Sequence, residues 1–175
     1  PLARRRADSS GRDARSEPQF VPIIALVTAL AVALWLATNI PPIPGDLIAH
    51  GRRVPTRMGQ YKVLETREGL NASVAVTQLA SGVRNFHVSG KIEASSEPQD
   101  MRLQPMLAHI PALLHPHPKS VLVVGCGAGV TAGSFLCYPE VERIVICEIE
   151  PLIPQVVANY FGVENRGVVH DKRVE

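Results

Sequence analysis

VLVVGCGAGVTAG, residues 121–133, is an apolar run that breaks into a glycine-rich loop and then resumes with helix-compatible residues. A strand ending near Val124 and a helix starting near Val130 require the backbone to turn sharply between them. Gly125, Gly127 and Gly129 remove the side chains that would keep that turn from approaching a ligand. The helix N-terminus behind the loop adds free amide hydrogens and a partial positive charge. The spacing selects among ligands. A dinucleotide fingerprint G-x-G-x-x-G wants glycine where Val130 stands, whereas G-x-G-x-G is met, which favours an S-adenosyl-type nucleoside over NAD. At the end of the following strand, in IVICEIE, Glu148 stands about 20 residues after the glycines, where an acid accepts hydrogen bonds from ribose hydroxyls in nucleotide-binding βαβ units. The bland readings are a solvated strand-end carboxylate for Glu148 and a helix cap ahead of Pro151 for Glu150.

Outward from the loop, the pattern alternates. A strand (Ser120 to Val124), a helix (about Val130 to Cys137), a strand (Arg143 to Glu148) and a helix (about Pro151 to Tyr160) predict a parallel α/β sheet. Upstream, Asp100 stands ready to cap a helix whose apolar positions are Met101, Leu103, Met106, Leu107, Ile110 and Leu113, with Pro105 expected to kink or delay it. Before that, YKVLETR, NASVAVTQL and VRNFHVSG are short β-rich runs separated by turn residues and closed by Gly90, a small antiparallel meander over residues 61–99. Residues 41–60 are punctuated by Pro and Gly and read as a linker.

The first 40 residues are of another kind. Residues 1–19 mix five arginines with Ser, Gly, Pro and acids, a composition that stays disordered. Phe20 to Ile40 carries no charge, and at about 1.5 Å per residue it reaches roughly 30 Å, so it reads as a transmembrane helix rather than a buried helix or a cleaved signal. The positive-inside rule applied to this span alone puts residues 1–19 in the cytoplasm. A nucleoside site needs the opposite arrangement, which further spans upstream would supply. The expectation is therefore a membrane protein, in contact with lipid, whose nucleoside domain is cytoplasmic. A net charge of +2, without a basic stripe interleaved with aromatics, argues against nucleic acid. Cys126, Cys137 and Cys147 are odd in number and have no CxxC spacing, so reduced thiols are expected. The chain opens on Pro1, and its last residues, VVHDKRVE, run into what reads as a new element. It is read as a fragment.

FHVSGKIEAS, then DMRLQPMLAHIPALLHPHPKSVLVVGCGAG, then VERIVICEIEP, in this order, resembles the spermidine synthase (polyamine aminopropyltransferase) family, and within it the branch with transmembrane helices ahead of the synthase-like domain. The resemblance covers roughly residues 60 to 175. It implies a small β-domain followed by a Rossmann-like, methyltransferase-type domain, here residues 100–175. The implied reaction moves an aminopropyl group from decarboxylated S-adenosylmethionine to a polyamine acceptor, without a metal, and a homo-oligomer is compatible with it. Residue by residue, Gly125, Gly127 and Gly129 match the family's glycine loop and Glu148 its ribose acid. Ala128 stands where the family usually has an aspartate, Gln99 and Asp100 replace an Asp-Glu pair, and Leu103, Gln104 and Pro105 replace Tyr-His-Glu. Asp100 and Gln104 are the substrate-side candidates. The family's general base, an aspartate at a later strand end, is expected beyond Glu175.

Other residues are read more plainly. His115 and His117 in HPHP lack a third ligand and read as a loop. His109 reads as a packing residue, Cys126 as a thiol without the His or Asp partner a nucleophile needs, and HDKR as a solvated turn. Two alternatives to aminopropyl transfer stay open: another transferase using S-adenosylmethionine, and a non-catalytic membrane-bound nucleoside-binding module.

Overall fold

The computed structural model describes residues 20–57 and 59–175; the arginine-rich segment 1–19 lies outside them. The chain divides into two units at Pro42/Ile43.

The described part of the first unit is helix α1 (Phe20–Thr38) and its C-terminal turn. The helix closes two residues before the expected limit at Ile40. The Thr38 hydroxyl donates to the Leu34 and Trp35 carbonyls, and the Asn39 side-chain amide donates to Trp35 O at 2.8 Å, which ends the helix ahead of Pro41 and Pro42. A 19-residue helix extends roughly 28 Å, short of a hydrocarbon core of about 30 Å. Among the described residues no helix is long and apolar enough to cross a membrane. This overturns the reading of 20–40 as a transmembrane span, and with it the transmembrane location, the cytoplasmic placement argued from it and the membrane-bound branch. The membrane-lipid partner loses its basis for the same reason.

The second unit, Ile43–Glu175, opens with short helices where a plain linker was expected: α2 (Gly45–His50), a 3-10 turn (Gly51–Arg53) and α3 (Val54–Arg57). A six-residue helix has little stability of its own. It forms here because Ala49 and His50 are buried and Gly45 packs closely on Val63 and Thr66 of the sheet beneath.

That sheet is an antiparallel meander of β1 (Tyr61–Glu68), β2 (Ser73–Leu79), β3 (Arg84–Val88) and β4 (Lys91–Ser95), in that order. The three expected runs are β1 to β3. The fourth, KIEAS, carries little β signal and is held by pairing with β3 through a bulge between Phe86 and His87. Its buried side includes Val74, Val76, Phe86 and Ala94, and Phe86 meets Phe161 edge to face at 6.3 Å.

Helix α4 (Asp100–Leu114) continues as one helix past Pro105 and Pro111. Asp100 does not cap it. Its carboxylate instead accepts the Ser95 hydroxyl at 2.5 Å, while the first helical amides reach back to the carbonyls of Glu97 and Gln99. Strands β5 (Ser120–Val124) and β6 (Arg143–Cys147) pair in parallel, joined by α5 (Val130–Ser134) and a 3-10 turn (Phe135–Cys137), with α6 (Leu152–Tyr160) after β6. Val174 begins a further parallel pairing against Ile144. HDKR is a turn with His170 and Lys172 exposed, but it is not wholly solvated: the Arg173 guanidinium donates to the carbonyls of Leu136, Tyr138 and Val141 and pairs with Asp171.

Meander and parallel pair are tied at named points. The Glu150 carboxylate, 2% exposed, accepts the amides of Asn71 (2.8 Å) and Ala72 (3.3 Å) in the β1–β2 turn and that of Leu152 in α6. A methyl at Gly69 would collide with it. Arg84 pairs with Glu164 at 2.6 Å, and the Tyr160 hydroxyl donates to Glu65.

Two outcomes follow for stability. Phe86→Ala, which empties a fully buried aromatic position, should cost about 3–5 kcal/mol in chemical denaturation. The amides around Glu150, the Asn71 amide first, hold its carboxyl below the ordinary glutamate range. A depressed folded-state pKa contributes stability that is present at neutral pH and is lost as pH falls through the folded value. The melting temperature of Glu150→Gln should therefore lie below wild type at pH 7, and the gap should narrow on acidification to pH 3. A gap of constant size would remove the carboxylate from the explanation.

Candidate functional site

The parallel register places the site. Val124 pairs with Cys147, and the Gly125 amide donates to the Cys147 carbonyl at 2.8 Å, so the first residues of the loop lie beside the first residues after β6. That adjacency brings Cys126 and Glu148 together: the Cys126 amide donates to Glu148 Oε2 at 2.8 Å. The other oxygen, Oε1, accepts the amides of Ile149 (2.8 Å) and Glu150 (3.0 Å). Glu148 is therefore no free solvated carboxylate. It fixes the loop's entry and its own strand end at once, while remaining part-exposed.

The three glycines are not equivalent. All have positive φ, at +84°, +53° and +77° for Gly125, Gly127 and Gly129, a region side chains rarely occupy. A Cβ at Gly125 or Gly127 would meet nothing within 4 Å, so the backbone there faces open space. A Cβ at Gly129 would instead press on Asn165 and Val168. Two glycines thus leave room for a ligand, and the third permits close packing beneath the loop. Gly129 is also the residue before α5, so the amide end of that helix begins where the loop ends.

The substrate-side candidates lie on α4. The Gln104 side-chain amide donates to the Ser95 carbonyl at 3.3 Å, and its backbone carbonyl accepts the Thr131 hydroxyl at 3.0 Å, which joins α4 to the helix that leaves the loop. Asp100, one turn earlier, is held by Ser95. Met101, between them, packs on the cluster containing Cys126, Ala128 and Val130. The structure therefore brings Gln104 against the loop-side helix and engages Asp100 with β4.

Cys126 is buried, and burial first, then the Glu148 charge, pushes its thiol up to about 12. It stays protonated, which agrees with the plain reading. His109 donates to or accepts from the Tyr138 hydroxyl at 2.9 Å, and the His115 ring accepts the His117 amide. Among the described residues no three His, Cys, Asp or Glu side chains are grouped to hold a metal. Residues that the sequence reading missed are Ser95, Thr131 and Asn165. Only Asn165 carried a signal, an Asn two residues before Gly167 in a turn.

Comparison with known proteins supplies a context for this geometry. Residues 101–175 match the spermine/spermidine synthase domain family. The polyamine aminopropyltransferase of Leptospira biflexa is 32% identical over 108 residues, 60% of this chain and 38% of the relative. That of Thermotoga petrophila is 38% identical over 90 residues, 51% of this chain and 30% of the relative. A spermidine synthase solved with the transition-state analogue AdoDATO superimposes with a TM-score of 0.60 at 27% identity, over 65% of this chain and 38% of that one. The spermidine synthase structure from Thermotoga maritima matches with the same score and identity. The chain is thus homologous to polyamine aminopropyltransferases, which are transferases, and shares their mixed α/β fold. It spans two fifths or less of the length of these relatives.

Two outcomes test the loop. Gly127→Ala should cost about 1–2 kcal/mol from backbone conformation alone, and Gly129→Ala more, because its methyl also meets Asn165. Iodoacetamide at pH 8 should label exposed Cys137 and Cys147 and spare Cys126, read by peptide mass spectrometry.

Proposed function

We propose, on this homology, that the chain forms the nucleoside-binding part of an aminopropyltransferase that moves an aminopropyl group from decarboxylated S-adenosylmethionine to a polyamine acceptor. The observation that carries the reading is the loop of left-handed glycines, open above Gly125 and Gly127, with the Glu148 carboxylate bonded to it through Cys126. In this reading Gly125, Gly127 and Gly129 let the backbone approach the nucleoside, and Glu148 accepts the ribose hydroxyls. Asp100 and Gln104 face the amine. The acceptor nitrogen's lone pair attacks the methylene carbon bonded to the sulfonium. The C–S bond breaks with its electron pair going to sulfur, and the ammonium formed passes its proton to solvent water. Burial of Cys126 in its protonated form keeps a competing nucleophile out of the site.

A specific observation supports a second reading. Ala128 supplies no carboxylate in the loop, and the Asp100 carboxylate is engaged by Ser95, so a dicationic acceptor finds few partners for its charge. Another transferase using S-adenosylmethionine would fit the same loop.

Isothermal titration of the chain with methylthioadenosine and with putrescine tests both. Methylthioadenosine should bind more tightly than putrescine, and Glu148→Gln should weaken it by about 1–3 kcal/mol, the range for a charge-assisted hydrogen bond. Tight putrescine binding without methylthioadenosine binding would sink the nucleoside reading.

A further inference from the structure

The segment after α6 folds back beneath the glycine loop, and its centre is Asn165. This residue is completely buried, and both ends of its carboxamide are hydrogen-bonded. Nδ2 donates to the Ala128 carbonyl at 3.1 Å and to the Val157 carbonyl of α6 at 3.4 Å; Oδ1 accepts the Gly167 amide at 3.0 Å. Ala128 lies between Gly127 and Gly129, so the side chain is fastened to the loop itself. The backbone comes equally close, since a methyl at Gly133 would collide with the Asn165 carbonyl. The turn that delivers it is conformationally demanding, with Arg166 and Gly167 both left-handed at φ +60° and +65°.

The three glycines have no side chains to pack and more conformational freedom to lose than other residues, so only Cys126 and Ala128 anchor the loop by burial. Hydrogen bonds from outside the loop add to that anchoring at its two ends. Glu148 grips the entry through the Cys126 amide, and Asn165 grips the exit through the Ala128 carbonyl. Few side chains can make the second contact. A carboxylate would set its charge against two carbonyl oxygens, and a hydroxyl carries one donor on a shorter arm.

We infer that Asn165 is a positioning residue, which presets the glycine loop in the shape that receives the nucleoside. The consequence for binding rests on the function proposed above; the grip on the loop does not. Preorganisation of this kind raises affinity by removing the ordering cost from the binding step.

Hydrogen exchange and calorimetry on the 175-residue chain separate the two. Asn165→Ala removes the carboxamide, and Asn165→Ser keeps an oxygen for the Gly167 amide while withdrawing the long donor. Thr77→Val is the control: it breaks the buried Thr77–His87 bond of the meander without touching the loop. Both Asn165 variants should exchange the amides of residues 126–129 about tenfold faster and bind methylthioadenosine about tenfold more weakly, as loss of one buried hydrogen bond implies. Thr77→Val should do neither. Loop exchange at the wild-type rate in the folded Asn165 variants, or an equal acceleration in Thr77→Val, overturns the inference. Failure of the wild-type chain to bind methylthioadenosine overturns the nucleoside reading instead, and faster loop exchange would still support the grip.

Discussion

The parallel register between β5 and β6 is the constraint on which the site depends. Pairing Val124 with Cys147 leaves each strand's next residues side by side, and the loop amide of Cys126 then falls on the carboxylate of Glu148. A slip of one residue would turn one strand's side chains to the opposite face relative to its partner and separate that pair. Position in the sheet, more than the side chain alone, makes Glu148 a residue of the loop. A carboxylate already bonded to three amides is held in orientation while staying part-exposed.

The loop is a compromise between access and order. Gly125 and Gly127 leave the space above them empty, which is of use to a ligand and of none to stability. The cost is met from below, where Ala128, Val130, Val157 and Phe161 share one buried cluster and Asn165 closes the remaining polar valences. The same cluster takes in Val74, Val76 and Phe86 of the meander, so the small antiparallel sheet supports the loop indirectly, through α6.

Glu148 and Glu150 are two residues apart in CEIEP and do different things. Glu148 turns to the glycine loop, while Glu150 is buried and accepts the amides of the β1–β2 turn as well as the Leu152 amide expected of a helix-capping acid. One short acidic segment thus joins the glycine loop to one side and the meander to the other. Pro105 shows a comparable division: it was expected to disturb α4, yet the helix continues through it, packed along α5 and bonded to it through Thr131.

Local signals in the sequence were sufficient for the alternating strands and helices from Ser120 onward, three of the four meander strands, the glycine loop and the acid that follows it. These depend on periodicity, turn residues and short spacing, all contained within a few neighbouring residues. Tertiary structure decided what those signals cannot hold. KIEAS became a strand because β3 offered a partner, and a six-residue helix formed because β1 and β2 offered a surface. The Phe20–Thr38 helix ended where Thr38 and Asn39 could bond its last carbonyls, two residues before the apolar run did. Which glycine packs on Asn165 was decided by a residue that reaches the loop at Ala128 from 37 positions away, and the second task of Glu150 by a turn 79 positions away. Hydrogen bonds across such separations follow from how the chain closes on itself, and no short window of sequence contains both partners.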